Sequence, residues 1–450
     1  MSSEKLTVVK FGGSSLADAA MFRKVADIIR SDPARRYVVP SAPGKRFRED
    51  IKITDMLYTC HEKASRNEDI SKEFNAICDR YRGIIADLSL SLSLEQEFER
   101  ILSALRSRHA GSDYAASRGE YLNGLILASY LGFDFIDPAE VIFFTDTGSF
   151  DADKTNEILS DCLRHHAHAV IPGFYGSLPN GTVKTFSRGG SDVTGSIVAR
   201  AAQADLYENW TDVSGCLMAD PRVVNNPATI GTITYQELRE LSYMGASVLH
   251  EDAIFPVRFA GIPINIHNTN DPSAPGTMIV SQAPRSKRGA ITGIAGKKGF
   301  SVITVEKDMM NSEVGFICKV LEVFAKAGVS IEHLPSGIDS ISVILSTAQL
   351  DPIRDRLINS ICLAANPECI ALEDGLALIA VVGRSMVNAR GTAARILTAL
   401  ADADINIRMI DQGSSEMNVI VGVDDKDFEE AMNAIYRAFE NDAKNFQIRM

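Results

Sequence analysis

Leu6-Thr7-Val8-Val9-Lys10-Phe11-Gly12-Gly13-Ser14-Ser15 is the stretch on which the fold turns. Its first six residues form a short apolar run carrying one lysine, with the length and character of a buried strand. The Gly-Gly pair breaks that strand. Residues 17–30 then repeat apolar side chains at helical spacing, with Met21, Val25, Ile28 and Ile29 on one face. Tyr37-Val38-Val39 predicts a second strand, leaving through Pro40-Ser41-Ala42-Pro43-Gly44. Strand, glycine turn, helix, strand is the opening of a parallel α/β sheet. At such a junction glycines let the backbone approach an anion, and the N–H groups of a helix start point at it. Lys10, at the strand end, would set a cation beside the same anion. Taken alone, these residues also make a plain βα turn with an exposed lysine.

A second entry of this kind lies downstream. Thr185-Phe186-Ser187-Arg188-Gly189-Gly190-Ser191-Asp192 leads into a predicted helix over residues 193–202. Arginine forks readily onto a carboxylate, and Asp192 could organise a lysine or a metal near phosphates. Ser191 or Asp192 would serve equally as a helix cap. Two glycine loops, each with a charged partner, point to a phosphate-handling cleft at the carboxyl ends of parallel strands. A strand over 205–211 runs into Thr211-Asp212-Val213-Ser214-Gly215 and then Asp220-Pro221-Arg222. This segment could cradle a base and ribose with Arg222 on the phosphates, although Asp-Pro also starts ordinary turns. Arg118-Gly119-Glu120 falls at a predicted helix start, where Glu120 could pair with an ammonium group or lie solvated. Residues 51–105 read as a helical excursion, and 169–174 as another strand with a glycine-bearing exit.

Pro-, Gly- and Lys-rich stretches at 268–276 and 284–298 read as linkers. Beyond them a pattern repeats. Strands are predicted over 300–305, 329–334 and 341–345 with a helix over 315–326. Strands follow over 376–382, 405–410 and 417–423, with helices over 392–403 and 427–439. Gly328-Val329-Ser330-Ile331 and Asp404-Ile405-Asn406-Ile407 hold matching places in two tandem βαββ units. All the glycine motifs precede residue 270, so a catalytic body is followed by a paired regulatory module.

The composition narrows the class. With 45% hydrophobic and 23% charged residues, the 450-residue chain is neither disordered nor collagen-like. A net charge of −12 argues against a broad surface for nucleic acid or anionic membrane. The 7 cysteines are scattered, with no CxxC pair, which fits reduced thiols and a cytoplasmic setting better than a disulfide framework or zinc site. The start lacks the apolar run of a signal peptide, and no segment approaches the roughly 18 apolar residues of a membrane span. His165, His166 and His168 are poorly spaced for one metal-binding face. The basic stretch 285–298 lacks the interleaved aromatics of a nucleic-acid site and reads as a solvated linker.

Taken together the motifs resemble aspartate kinases of the amino-acid kinase superfamily. The resemblance is carried by KFGGSS (10–15), SRGE (117–120), GFYG (173–176), SRGGSD (187–192), TDVSG…DPR (211–222) and ELSYMGASVLH (240–250). It implies an α/β amino-acid kinase fold, mainly a parallel sheet sandwiched by helices, over residues 1–285. Tandem ferredoxin-like ACT domains would follow over 296–372 and 373–450, the terminal segment pairing back with the first. It implies phosphorylation of the L-aspartate β-carboxylate by ATP and Mg²⁺, the metal held mainly by the nucleotide. Lys10 and Asp192 would be catalytic. Gly12, Gly13, Ser14, Thr211, Asp212 and Arg222 would contact the nucleotide. Ser41, Thr54, Glu120, Phe174, Arg188 and Gly189 would receive aspartate, Glu120 on its ammonium and Arg188 on its α-carboxylate. Both reactants are anions, so such a site must supply positive charge and positioning rather than a strong base.

The resemblance also implies control by an amino acid bound between ACT units of two chains, lysine first and threonine second. Met310, Ser330, Ile331 and Glu332 would receive it, in a homodimer or tetramer. The chain departs from the family pattern in a longer loop over 41–54, in Leu217 for tyrosine, in Ser247 for lysine and in Glu251 for proline; these changes bear on nucleotide affinity. Because the ACT region closes the sequence, a monofunctional enzyme is expected. The rival readings are a kinase acting on another acid, such as glutamate, and an ACT-based amino-acid sensor on an idle body.

Overall fold

The computed structural model describes residues 5–107, 110–187, 189–246, 249, 251–285 and 291–447, the last with backbone alone from 441 and likewise for 251 and 252. The chain divides into two compact units. The first comprises Met1–Cys216, Thr229–Tyr235 and Val248–Ala283; the second comprises Leu217–Ala228, Gln236–Ser247 and Pro284–Met450.

The strands of the first unit are β1 (Thr7–Phe11), β2 (Arg35–Pro40), β3 (Asp134–Phe135), β4 (Ala169–Val170), β5 (Tyr175–Ser177), β6 (Val183–Thr185), β7 (Leu206–Thr211), β8 (Thr232–Thr234), β9 (Ile264–Asn268) and β10 (Thr277–Val280). Eight of them form one sheet in the order β3-β4-β2-β1-β7-β9-β10-β8, and β5 and β6 form a separate hairpin. Every pairing in the large sheet is parallel except β9 with β10. All five residues of β1 are buried, as a central parallel strand covered on both faces requires. Helices α1 (Ala19–Arg30), α2 (Ile53–Ser65), α3 (Ser71–Asp87), α4 (Glu95–Arg106) and α5 (Ser112–Leu131) share one apolar core with β1, in which Phe22, Leu57, Tyr81, Phe98 and Ile126 pack together with Trp210. The remaining helices are α6 (Pro138–Val141), α7 (Ala152–Arg164), α8 (Gly190–Ala201), α9 (Tyr235–Tyr243, continuing into the second unit) and α10 (Glu251–Ala260).

Two expectations are corrected here. Residues 268–276 are not a linker: they turn the chain from β9 into the antiparallel β10, so the large sheet continues through Val280. The strand predicted over 169–174 is regular only at Ala169–Val170, although the Ile171 and Gly173 N–H groups still donate to the Val38 and Pro40 carbonyls of β2 on either side of Pro172, which has no N–H to give.

The second unit is built on a five-stranded antiparallel sheet, order β12-β11-β13-β15-β14. Its strands are β11 (Gly293–Glu306), β12 (Ser340–Ser346), β13 (Cys369–Val382), β14 (Met409–Asp411) and β15 (Asn418–Asp424). Its helices are α11 (Phe316–Ala327), the single turn α12 (Thr347–Leu350), α13 (Arg354–Ala365), α14 (Thr392–Asp402) and α15 (Phe428–Gln447). The two long strands join the repeats. Residues 300–306 of β11 pair with 369–376 of β13, while 293–297 pair with 378–382. The register shifts between Lys297 and Phe300, where Gly299 takes a φ of +86°. Part of the presumed linker at 284–298 is therefore strand. Residues 329–334 are not a strand; their backbone pairs with the sheet through an isolated bridge from His333 to Ile344. Helix α13 was not anticipated from the sequence, and β14 is shorter than the predicted strand over 405–410.

Candidate active site

The carboxyl ends of β1, β2 and β7 carry three of the sequence motifs in adjacent positions, because these strands are neighbours in register: Lys10 lies between Val39 of β2 and Asn209 of β7. The Lys10 Nζ forms an ion pair of 2.6 Å with the Asp192 carboxylate, and both side chains are largely buried. Asn209 completes the arrangement, donating through Nδ2 to Asp192 at 2.8 Å and accepting from Lys10 at 3.4 Å. Asp192 stands in the first turn of α8, where the helix dipole favours a carboxylate. The two glycine loops therefore meet through a charge pair.

The first loop differs in detail from expectation. A turn of 3₁₀ helix (Gly13–Leu16) intervenes before α1, and Asp18 caps α1 by accepting from the Met21 N–H. The Gly12 N–H is spent on the Trp210 carbonyl at 3.0 Å, which leaves the Gly13 and Ser14 amides to meet an anion. A Cβ on Gly12 would stand in ordinary contact with the Lys10 ammonium, at 3.6 Å. Gly13 is held against the loop after β2, its carbonyl accepting from the Gly44 N–H at 2.8 Å.

The second loop is pinned to the strand exit at 173–174. Phe174 adopts a φ of +85°, rare for a bulky side chain. Its N–H donates to Thr194 Oγ1 of α8 at 3.0 Å, and a Cβ on Gly190 would strike its ring at 2.5 Å. Gly189, in the left-handed region, starts α8. Arg188 lies outside the described residues, as do Ser247 and His250.

Arg118-Gly119-Glu120 lies inside α5 rather than at its start. Gly119 lets the helix close on the loop after β2, since a Cβ there would meet the Ala42 side chain at 2.9 Å. Glu120 is buried with Oε2 unpartnered. Burial pushes its carboxyl up to about 8, against the opposing pull of the Ala42 N–H and Arg118. One turn on, Asn123 donates to the Ser41 carbonyl at 2.7 Å while its Oδ1 is buried without a partner. Unpartnered buried oxygens of this kind are suited to receiving a cationic group. Ser41 is positioned by donating its N–H to Phe11, and Thr54 falls in the first turn of α2.

Thr211 and Asp212 lie at the end of β7, Thr211 Oγ1 donating to Asp212 at 3.2 Å. Arg222 belongs to the second unit, where it forks onto Asp220 with an exposed side chain. In the same unit Met310 is buried, Ser330 donates its N–H to Gln349, and the Glu332 N–H donates to the Ile344 carbonyl. Ile331 is half-buried. The Glu332 carboxylate accepts from the Tyr243 hydroxyl, a bond that with burial pushes the phenol up to about 12. The three clustered histidines have separate partners: His165 faces the Asp161 carbonyl, His166 the Asp134 carboxylate, and His168 the Phe133 ring.

Asn209 and Asn123 escaped the sequence reading. Asn209 carried no distinguishing signal, since β7 also holds Glu208 and Thr211; Asn123 could have been found three residues after Glu120, on the same helix face.

A lysine at one glycine-lined strand exit facing a carboxylate at another is an arrangement suited to a transferring phosphoryl group, and comparison gives that class a name. The amino acid kinase family matches residues 5–268, and an ACT domain matches 379–439. Aspartokinase 3 of Bacillus subtilis is 39% identical over 96% of this chain and 98% of its own length. The crystal structure of Clostridium acetobutylicum aspartate kinase is 54% identical, with a TM-score of 0.89 over 96% of this chain and all of the other. E. coli aspartokinase III, solved with aspartate and ADP and again with lysine and aspartate, is 25% identical, with TM-scores of 0.73 and 0.72 over 97% of this chain and 100% of the other. The chain belongs to the amino acid kinase family, among its ACT-bearing aspartokinases.

Proposed function

We propose that the protein transfers the γ-phosphoryl of MgATP to the β-carboxylate of L-aspartate, opening the route to lysine, threonine and methionine, and that lysine inhibits it through the ACT module. The observation that carries the reading is the Lys10–Asp192 pair joining two glycine loops, with the orphaned Glu120 carboxyl buried on the neighbouring helix. In this reading the β-carboxylate, already ionised at neutral pH, attacks the γ-phosphorus as the bond to the ADP oxygen breaks, and no general base is required. Lys10 and the Gly13 and Ser14 amides take up charge on the transferring group; Asp192 and Asn209 fix the lysine. Glu120 receives the substrate ammonium, and Arg188 its α-carboxylate. Ser41, Thr54, Phe174 and Gly189 line the pocket, and Thr211, Asp212 and Arg222 contact the nucleotide. Among the described residues no group of three or more His, Cys, Asp or Glu is placed to hold a metal; in this reading the Mg²⁺ ion would be borne by the nucleotide phosphates and neutralise them.

For regulation, E. coli aspartokinase III binds lysine, as its complex states. Here the effector ammonium would compete with Tyr243 for Glu332, with Met310, Ser330 and Ile331 beside it; ACT units of two chains would complete the site in a homodimer or tetramer. A cytoplasmic setting agrees with seven unpaired cysteines. The deciding assay is ADP release with L-aspartate and MgATP, with hydroxylamine trapping the acyl phosphate. Absence of turnover at high ATP would favour an amino-acid sensor instead, and equal turnover with glutamate would sink the substrate assignment.

A further inference from the structure

Besides Thr54, the helical excursion sends one further side chain toward the proposed site, to the glycine loop after β1. Arg80 of α3 is buried, its side chain only 5% exposed. Its guanidinium donates to three carbonyls from two strand exits: Gly44, Ile51 at 3.0 Å and Ala17 at 3.4 Å. Ala17 ends the turn that carries Gly13 and Ser14; Gly44 and Ile51 are the two shoulders of the extended loop after β2. Asp50 stands 3.4 Å from Arg80, and its other bonds go to Arg46, which folds the tip of that loop.

The Gly44 peptide is where the two exits touch. Its N–H donates to the Gly13 carbonyl at 2.8 Å. A Cβ on Gly44 would lie 2.5 Å from the Gly13 carbonyl carbon, and one on Gly13 would lie 2.8 Å from the Ala42 oxygen. The Arg80 bond and the Gly13 bond lie on opposite sides of the Gly44 Cα, so together they hold this residue at both ends. The neighbouring Tyr81 hydroxyl donates to the Gly119 carbonyl at 2.8 Å, so α3 also supports the helix that carries Glu120.

We propose that Arg80 is a positioning residue for phosphoryl transfer. It holds the loop after β2 against the glycine loop after β1, and thereby fixes the Gly13 and Ser14 amides in relation to Ser41 and Glu120. This rests on the reading that those amides meet the transferring phosphoryl group. Displacements of an ångström at such a site cost about 10²-fold in rate. Arg80 makes these bonds from two separate nitrogens, and lysine, whose donors radiate from a single atom, cannot reproduce that fork.

Arg80→Lys is therefore expected to lower kcat by about 10- to 100-fold, while the KM for aspartate and the Kd for ADP change by less than about threefold. Gly44→Ala, which presses on Gly13 and leaves Arg80 intact, should give the same split, and it covers the case in which Arg80→Lys fails to fold. A cavity of ≈430 Å³ lined in part by Arg46, Asp50, Met56 and Arg80 gives a small guanidinium access to the site, so ethylguanidinium should restore part of the kcat of Arg80→Ala. Lys10→Met serves as the reference. If Lys10→Met is inactive but Arg80→Lys and Gly44→Ala, folded by their Trp210 emission, keep wild-type kcat, the positioning role is overturned and the reading of the site stands. If Lys10→Met itself keeps wild-type kcat, the reading of the site falls and this inference with it.

Discussion

Replacing Glu120 by glutamine should stabilise the unliganded protein at neutral pH while crippling its use of aspartate. In the folded chain burial pushes the Glu120 carboxyl up to about 8, whereas its ordinary value is 4.5. Between those values the unfolded chain has released the proton and the folded chain still holds it. The stability that Glu120 contributes is therefore fully present below about pH 4.5 and lost as pH rises through about 8. Each pH unit is worth about 1.4 kcal/mol. Against a glutamine, which does not titrate, the wild type should fall behind by about 3 kcal/mol at pH 7 and about 5 kcal/mol above pH 8. The slope with pH is the predicted quantity, because a fixed offset from altered hydrogen bonding would not depend on pH. Trp210, the only tryptophan, is buried between Phe11 and His267 in the same unit, so its emission during urea unfolding reports on this body. The same variant should lose about 10²-fold or more in kcat/KM for aspartate, since a buried ammonium would be left without its counter-charge. A stability difference that stays flat between pH 5 and 8 would refute the argument, and unchanged aspartate kinetics would remove Glu120 from the substrate site.

The same proton makes aspartate binding pH-dependent: its KM should fall close to tenfold per unit between pH 6 and 7 and flatten near pH 8, and a wild-type-like profile in Glu120→Gln would contradict this. Asn209→Leu should lower kcat by about 10-fold or more with little change in ADP affinity, because Lys10 loses one partner and Asp192 another; steady-state kinetics with ADP titration decides it. Arg188→Ala should raise the aspartate KM or abolish turnover, and unchanged aspartate kinetics would refute its carboxylate role. Glu332→Ala should blunt lysine inhibition and spare uninhibited turnover, read from inhibition curves with lysine, threonine and methionine in turn; an unaltered lysine curve would count against the site.

The body of the fold was legible because its signals are local. Val8, Val9 and Phe11 are apolar enough to mark a central strand, Gly12-Gly13 mark its exit, and Gly189-Gly190 mark the start of α8. What escaped depends on strand order and through-space packing. Lys10 and Asp192 are far apart in sequence, and only the adjacency of β1 and β7 brings Asn209 between them. The partner of the Gly12 amide was not legible for the same reason, since the carbonyl that takes it, Trp210, comes from that same neighbour. Residues 268–276 looked like a linker because Asn, Pro, Ser and Gly turn a chain whether it leaves a domain or merely reverses within a sheet. Residues 329–334 carried strand-like Val and Ile, yet their apolar side chains pack on the core of the first repeat without a ladder, showing burial overriding β-propensity.

Tyr243 ties the regulatory reading to a physical element. It ends α9, and its hydroxyl donates to Glu332 while its carbonyl accepts from Lys297. Further along the same helix, Glu237 is fully buried and bonded to Arg384 through both carboxylate oxygens and to the Thr292 hydroxyl, and Glu240 accepts from Asn418. One short helix is thus fastened to both repeats of the ACT module. An effector that draws Glu332 away from Tyr243 releases only the last of these ties, so it can shift α9 only by as much as its ammonium prefers the freed carboxylate. Tyr243→Phe removes the competing donor in advance. It should tighten lysine inhibition, by a factor of several if the bond carries its usual ~1 kcal/mol, and leave threonine and methionine curves unmoved. Weaker lysine inhibition in Tyr243→Phe would mean that the hydroxyl helps to hold the effector rather than competing with it.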